Sequence, residues 1–235
     1  MSKHLYLSTT LFVGGTRLEV RQVMGRGNAR YPLLVQQALL RARQWLMNVP
    51  PFLHVGGDAQ MASAFRHVFR AAPDANALNT LRAVNSNILR GLSDQVLGIK
   101  LLEDDGALGY VRRYYSGRKH LVYGAQFHDA KDNAIARRGE IHLSPSILDD
   151  PEMATITLVH EAGHKFSNLR DHGDKGYFSS DGRNYEQPGI TPQEAMLNAD
   201  SHAYFTLFMN RRLDKLNRRI AAQQSGDMDL GALFG

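Results

Sequence analysis

Residues 158–178 read LVHEAGHKFSNLRDHGDKGYF, and this stretch decides how the rest of the chain is interpreted. His160 and His164 are four residues apart, so on a helix their side chains project from one face and can reach a single metal ion. Glu161 lies to the side, where its carboxylate can take a proton from a metal-bound water. Two neutral imidazoles, an open coordination position and such a carboxylate are what hydrolytic zinc requires. The stretch therefore predicts a zinc centre on a helix.

The residues that precede the motif also favour a helix. Asp149 or Asp150 can cap a first turn that contains Pro151 and Glu152. Apolar residues then recur at helical spacing, namely Met153, Ile156, Val159 and Ala162. An amphipathic helix with exposed histidines would show the same features, so the residues after the motif must decide between the two interpretations.

A zinc site on this motif needs a third protein ligand. The metzincin pattern is excluded because Ser167 and Arg170 stand where it requires Gly and His. Glu194 could serve as in thermolysin-like (gluzincin) peptidases. However, Thr191 three residues before it, with Pro192 between them, predicts a capping box that would occupy the glutamate with backbone amides.

Two further candidates lie in the Gly-containing loop after the motif. His172 is one, although loop histidines near a metal are often bystanders. The other is Asp174, ten residues beyond His164 and followed three residues later by Tyr177. From the residues alone, His172, Asp174 and Glu194 all remain candidates for the third ligand.

On these residues the chain resembles the aspzincins, the deuterolysin and peptidyl-Lys metalloendopeptidase family. HEAGH supplies His160, Glu161 and His164, and DKGY supplies Asp174 and Tyr177. LNADSHAYF at 197–205 is similar to the Asn-Ala-Asp helix of that family, and GEIHLSP at 139–145 is similar to its strand before the active-site helix. The resemblance covers roughly residues 105–210.

The resemblance implies an α+β, zincin-like fold, mostly helical, with a small antiparallel sheet and an active-site HExxH helix. It implies one Zn²⁺ per chain on His160, His164 and Asp174, with Glu161 as general base and Tyr177 as hydrogen-bond donor to the oxyanion. Asp200 could bind a metal-ligating His or line the substrate pocket. A second acid characteristic of Lys-specific relatives is replaced by Ala203, so no lysine preference follows.

The rest of the chain predicts further elements of both kinds. Alternation around Gly14-Gly15 predicts a β-hairpin within residues 5–23. Helices are predicted at 33–48, from Asp58 to about Ala71 and from Asp74 to about Leu97. Three short segments predict the sheet, namely GYVRRYY, HLVYGAQF and GEIHLSP between residues 108 and 144.

We interpret residues 1–220 as a single zincin-like metallopeptidase domain. It would consist of an N-terminal β-hairpin extension at 1–30, a helical lobe at 31–100 and a catalytic core at 105–210. Residues 221–235, which contain QQSGDMDLGALFG, are expected to form a flexible C-terminal tail.

The composition of the chain limits which residues can bind a metal and which partners are expected. With no cysteine the chain has neither disulfides nor thiolate ligands, so a transition metal must bind His, Asp or Glu. A net charge of +5 and the basic run NRRLDKLNRR at 210–219 could indicate nucleic acid. The run falls at the end of a predicted helix, where a solvated basic face is the simpler interpretation.

The sequence thus predicts a zinc endopeptidase that acts on protein or peptide substrates. A non-catalytic zinc-binding protein and a nucleic-acid-binding module remain as alternatives. No membrane span and no signal peptide are predicted. The expected location is therefore the cytoplasm, or a site reached by a signal-independent route, as for a secreted bacterial effector or toxin.

Overall fold

The computed structural model describes residues 5–56, 58–102, 108–115, 118–122, 136–178 and 189–225. Within these ranges the strands are β1 (Tyr6–Val13), β2 (Thr16–Val23), β3 (Val96–Leu101), β4 (Gly109–Tyr115), β5 (Arg118–Val122) and β6 (Ala136–Leu143). The α-helices are α1 (Tyr31–Asn48), α2 (Ala59–Phe69), α3 (Ala75–Leu92), α4 (Pro151–Ser167), α5 (Pro192–Leu197) and α6 (Ala199–Ser225). The fold is α+β, as predicted.

The strands form one mixed sheet in the order β1-β2-β3-β6-β4-β5. Neighbours are antiparallel in the pairs β1–β2, β6–β4 and β4–β5, and parallel in the pairs β2–β3 and β3–β6. The segments predicted as an antiparallel sheet form β4, β5 and β6, whose pairs are antiparallel as predicted, but they belong to a larger mixed sheet that also contains β1, β2 and β3. The N-terminal hairpin, expected as an extension, contributes two strands to this same sheet because β2 pairs with β3 along residues 17–22.

The predicted helix starts are confirmed by their caps. Asp58 Oδ1 accepts from the Gln60 amide at 2.7 Å, and Asp74 Oδ1 accepts from the Ala77 amide at 2.7 Å. The predicted end of α3 near Leu97 was wrong, since this helix ends at Leu92 and Leu97 lies in β3.

The core consists of two hydrophobic clusters, and the larger one includes the motif helix α4. The larger cluster lies between the inner face of the sheet and helices α1, α3, α4 and α6, and the smaller one joins α2, α3, α5 and α6. Every residue of α4 from Ala154 to Gly163 is buried. A stretch of helix that is buried on all sides is central to its domain, so His160 and Glu161 are held by packing, while His164 follows this stretch and is partly exposed.

The basic run lies on α6, which continues to Ser225 and so extends into the range predicted as a tail. The remainder of that range, 226–235, lies outside the described residues, as does the second half of the HLVYGAQF segment. Arg211 Nε donates to Glu152 Oε2 at 3.1 Å, and Arg212 pairs with Asp58. These two cations thus bind acidic groups of the chain itself. Within the described ranges, no helix is both long enough and apolar enough to span a bilayer.

Candidate metal centre

The motif helix begins at a cap that the sequence indicates. Asp150 Oδ1 accepts from the amides of Glu152 and Met153, both at 3.0 Å, and Pro151 occupies the first turn, where a missing N–H costs nothing. From this start, His160 and His164 fall on one face. Their Nε2 atoms are 3.0 Å apart.

The Nδ1 atoms of both histidines are held by acceptors. His160 Nδ1 lies 2.8 Å from Asp200 Oδ1, and His164 Nδ1 lies 2.8 Å from the Leu169 carbonyl oxygen. A carbonyl can only accept, and Asp200 also accepts the Phe178 amide on Oδ2 at 2.6 Å. Each Nδ1 therefore carries the proton, so in the neutral rings both Nε2 atoms present lone pairs to each other.

The end of α4 brings the Leu169 carbonyl to His164. Asn168 caps the helix in the left-handed conformation (φ 58°), which turns the chain back over the last turn. A Cβ on Gly163 would lie 2.9 Å from Leu169 Cδ1, so this position of HEAGH must be small for Leu169 to pack there. The glycine thus helps to fix the orientation of the His164 ring.

Asp171 is the carboxylate that meets both imidazoles, and the sequence analysis did not identify it. Its Oδ1 is 3.2 Å from His160 Nε2 and its Oδ2 is 3.2 Å from His164 Nε2. Burial alone would raise the pKa of Asp171, but the two imidazoles hold it well below its usual range. Asp171 is therefore an anion that faces two ring nitrogens.

The donor set fits a zinc ion. With both rings neutral, the two Nε2 atoms lie 3.0 Å apart and each lies 3.2 Å from a different oxygen of Asp171, so these acceptors repel one another unless a proton or a metal ion lies between them. A tetrahedral zinc about 2.0–2.1 Å from each ligand would separate its ligands by about 3.3 Å. The His160, Glu161 and His164 side chains also form a cluster whose ligand atoms lie within 4.8 Å of one another.

The other candidates for third ligand are placed differently. Among the described residues, the carboxylates within ion-pair distance of His160 or His164 are those of Glu161, Asp171 and Asp200. Asp174 is exposed and is not one of them. The geometry favours Asp171 as the third ligand.

Glu194 is occupied elsewhere, as the capping-box prediction required. Its Oε2 accepts from the Thr191 amide at 3.0 Å, while the Glu194 amide donates to Thr191 Oγ1 at 3.3 Å. Lys175 Nζ adds bonds of 2.7 and 2.9 Å to the same carboxylate, and the lysine and Thr191 together lower the pKa of Glu194 to about 2. His172 Nδ1 lies 3.9 Å from Glu194 Oε1, on this side of the loop.

Glu161 is a buried carboxylate next to the two histidines of the motif. Its side chain is 4% exposed, and Oε1 lies 3.9 Å from His160 Nε2. Oε2 has no hydrogen-bond partner among the described residues. Burial raises the pKa of Glu161, against the opposing effect of the two histidines. An anion that gains a proton readily and has a vacant acceptor oxygen is suited to general base catalysis.

Tyr177 lies near the carboxylates of Asp171, Asp200 and Glu161. Burial, reinforced by the carboxylates of Asp171, Asp200 and Glu161, raises its pKa to about 12. Its hydroxyl therefore stays protonated at neutral pH and can donate a hydrogen bond. The side chain is 48% exposed, so it can also meet a molecule that arrives from solvent.

The loop that carries Asp171 and Tyr177 is fixed by the junction between α5 and α6. The Arg170 amide donates to the Leu197 carbonyl at 2.7 Å, and the Ala199 amide donates to the Arg170 carbonyl at 2.9 Å. Asn198 Nδ2, which is fully buried, donates to the Gly176 carbonyl at 2.7 Å. Asp200 adds the bond to the Phe178 amide, so it links this loop to His160.

No protein-family model matches the sequence, and no curated protein matches it. A solved structure described as a zinc peptidase from Grifola frondosa has the same fold, with a TM-score of 0.53. The similarity covers 79% of this chain and 98% of that one, at 16% sequence identity. At this identity the comparison shows a shared fold, so this chain has an α+β architecture like that of the zinc peptidase.

Proposed function

We propose that this chain is a zinc-dependent endopeptidase. The observation that carries the proposal is the convergence of His160 Nε2, His164 Nε2 and the Asp171 carboxylate, three acceptors within 3.2 Å of one another, beside the buried carboxylate of Glu161. The shared fold with a zinc peptidase supports the same reaction class. The substrate would be a protein or peptide.

We further propose His160, His164 and Asp171 as the residues that would hold zinc. Asp174, which the aspzincin resemblance implies in this role, is the alternative third ligand. Glu194 is disfavoured because Thr191 and Lys175 already occupy its oxygens. Zinc bound there would polarise the scissile carbonyl and lower the pKa of a water toward neutrality.

The chain's own groups would handle the protons and the developing charge. Glu161 would accept a proton from the attacking water and pass it to the amine that leaves. The Tyr177 hydroxyl would donate a hydrogen bond to the carbonyl oxygen as negative charge develops there. This hydrogen bond would be stronger in the transition state than in the bound substrate. Asp200 would keep His160 in the Nδ1–H tautomer, which leaves Nε2 available as a ligand.

Metal content tests this proposal and the choice of third ligand together. We expect elemental analysis of the purified protein to find one zinc per chain, retained in Asp174→Asn and Glu194→Gln and largely lost in His160→Ala and Asp171→Asn. Retention in Asp171→Asn with loss in Asp174→Asn would instead support the ligand set implied by the resemblance. A wild-type protein without zinc after metal-replete purification would overturn the proposed function.

A further inference from the structure

Gly109, the first residue of β4, lies directly against the side chain of Glu161. A Cβ built on Gly109 would lie 2.9 Å from Glu161 Cγ and 2.9 Å from Glu161 Oε1. It would also lie 2.9 Å from Cγ2 of Thr157, one helical turn earlier. Carbon atoms in contact are normally about 3.5–4.0 Å apart, so position 109 has no room for a methyl group while Glu161 stays in place.

Strand β4 cannot easily move away from helix α4. Gly109 pairs with Leu143 of β6, and the Ser144 amide donates to the Leu108 carbonyl at 2.8 Å, so the backbone is bonded at this end of β4. Leu143 is completely buried. A shift of β4 would therefore break strand pairing and disturb the core.

Glu161 is equally confined on the helix side. It belongs to the buried stretch of α4, and its side chain is 4% exposed. The oxygen that faces Gly109, Oε1, is also the one that lies 3.9 Å from His160 Nε2. The same contact that excludes a side chain at position 109 thus fixes the carboxylate beside the metal ligands.

We propose that Gly109 is a positioning residue whose bare backbone holds the Glu161 carboxylate at the metal centre. This inference rests on the proposed function for the role of Glu161, but the packing on which it stands needs neither zinc nor substrate. A side chain at position 109 displaces the carboxylate from its place, and the displacement reduces turnover while the ligand set remains complete.

A double-mutant cycle on thermal stability tests the contact itself. Gly109→Ala should lower Tm in the wild-type background by several degrees, as overpacking does, and should lower it distinctly less in the Glu161→Ala background, where only Thr157 Cγ2 still obstructs the added methyl group. If Gly109→Ala alone does not fold, recovery of folding in the double variant gives the same result. Equal destabilisation in both backgrounds, or failure of the double variant to fold, would overturn the inference.

Thr157 supplies the matched control because it meets the same position. Thr157→Ser removes Cγ2 and keeps the hydroxyl. Suppose that Thr157→Ser reduces the loss of Tm caused by Gly109→Ala and that Glu161→Ala does not. The glycine would then serve only the packing of β4 on α4, and the proposed role would be wrong.

Kinetics and metal content give the functional readout. Gly109→Ala should retain one zinc per chain and an unchanged KM, while kcat falls roughly tenfold to a hundredfold, as expected for a misplaced catalytic group. An unchanged kcat together with a positive stability cycle would also contradict the positioning role. Failure of the proposed function would look different, since the wild type itself would lack zinc and turnover while the stability cycle could still be measured.

Discussion

The hydroxyl of Tyr177 is protonated at neutral pH, as in any tyrosine, and burial together with the nearby carboxylates extends this range by raising its pKa to about 12. Tyr177→Phe removes this donor and leaves the metal ligands intact. We expect kcat to fall by about a hundredfold, the typical cost of losing one oxyanion donor, with zinc content and KM little changed.

Glu161→Gln provides the comparison for this variant, since it should keep zinc and abolish turnover by removing the base. Steady-state kinetics on a peptide substrate, with zinc measured on the same samples, distinguish the two effects. An unchanged rate for Tyr177→Phe would exclude Tyr177 from the reaction.

At the scale of single residues, the sequence was informative where chemistry depends on local spacing. The pair His160 and His164 needs only a helical repeat, and the Thr191–Glu194 capping box needs only its three-residue separation. Asp171 could not be identified in this way. Its position depends on the left-handed turn at Asn168 and on bonds from the Arg170 backbone to Leu197 and Ala199, which lie far along the chain.

At the scale of elements, the junction of α5 and α6 determines where the loop at 170–178 lies. Asn198→Ala removes the donor to the Gly176 carbonyl and leaves that carbonyl unpaired, which should cost about 1–3 kcal/mol of stability. We expect faster amide hydrogen exchange across the loop and a lower kcat, because Asp171 and Tyr177 lose a common support.

Ser201→Ala is the matched control for this variant, since Asn198 Nδ2 also donates to Ser201 Oγ at 3.0 Å and that change leaves the bond to Gly176 in place. It should affect exchange in the loop much less. Equal exchange rates in wild type and Asn198→Ala would show that other contacts hold the loop.

The sequence predicted the secondary structure correctly where contacts between residues close in sequence determine it. Asp58, Asp74 and Asp150 cap helices through bonds within three residues. The strand β3 was missed because its partners are remote in sequence: β2 on one side and β6 on the other, both parallel to it. A short segment such as VLGIKL can continue a helix or form a strand, and only the sheet decides between the two.

At the scale of the whole molecule, the proposed metal site joins elements that are distant in sequence. His160 and His164 lie on α4, Asp171 lies on the following loop, and Asp200 of α6 holds both His160 and the amide of Phe178. Without a metal ion or a proton between them, these facing acceptors would destabilise the folded chain. Because the unfolded chain lacks the preformed site, zinc binding should stabilise the native state.

Free zinc at a hundred times Kd would contribute about 2.7 kcal/mol, which corresponds to a rise in Tm of about 5–10 °C for a chain of this size. Chelation should reverse this rise, and Asp171→Asn should lose most of it while Asp174→Asn retains it.

Burial lowers the pKa of His160, but Asp171 and Asp200 raise it well above its ordinary value overall, so protons compete with zinc at this ring. The rise in Tm should therefore be smaller at pH 6 than at pH 8. Scanning calorimetry with and without chelator at both pH values measures this rise in Tm. If the chelator did not change Tm at pH 8, a metal ion that links these elements would be excluded.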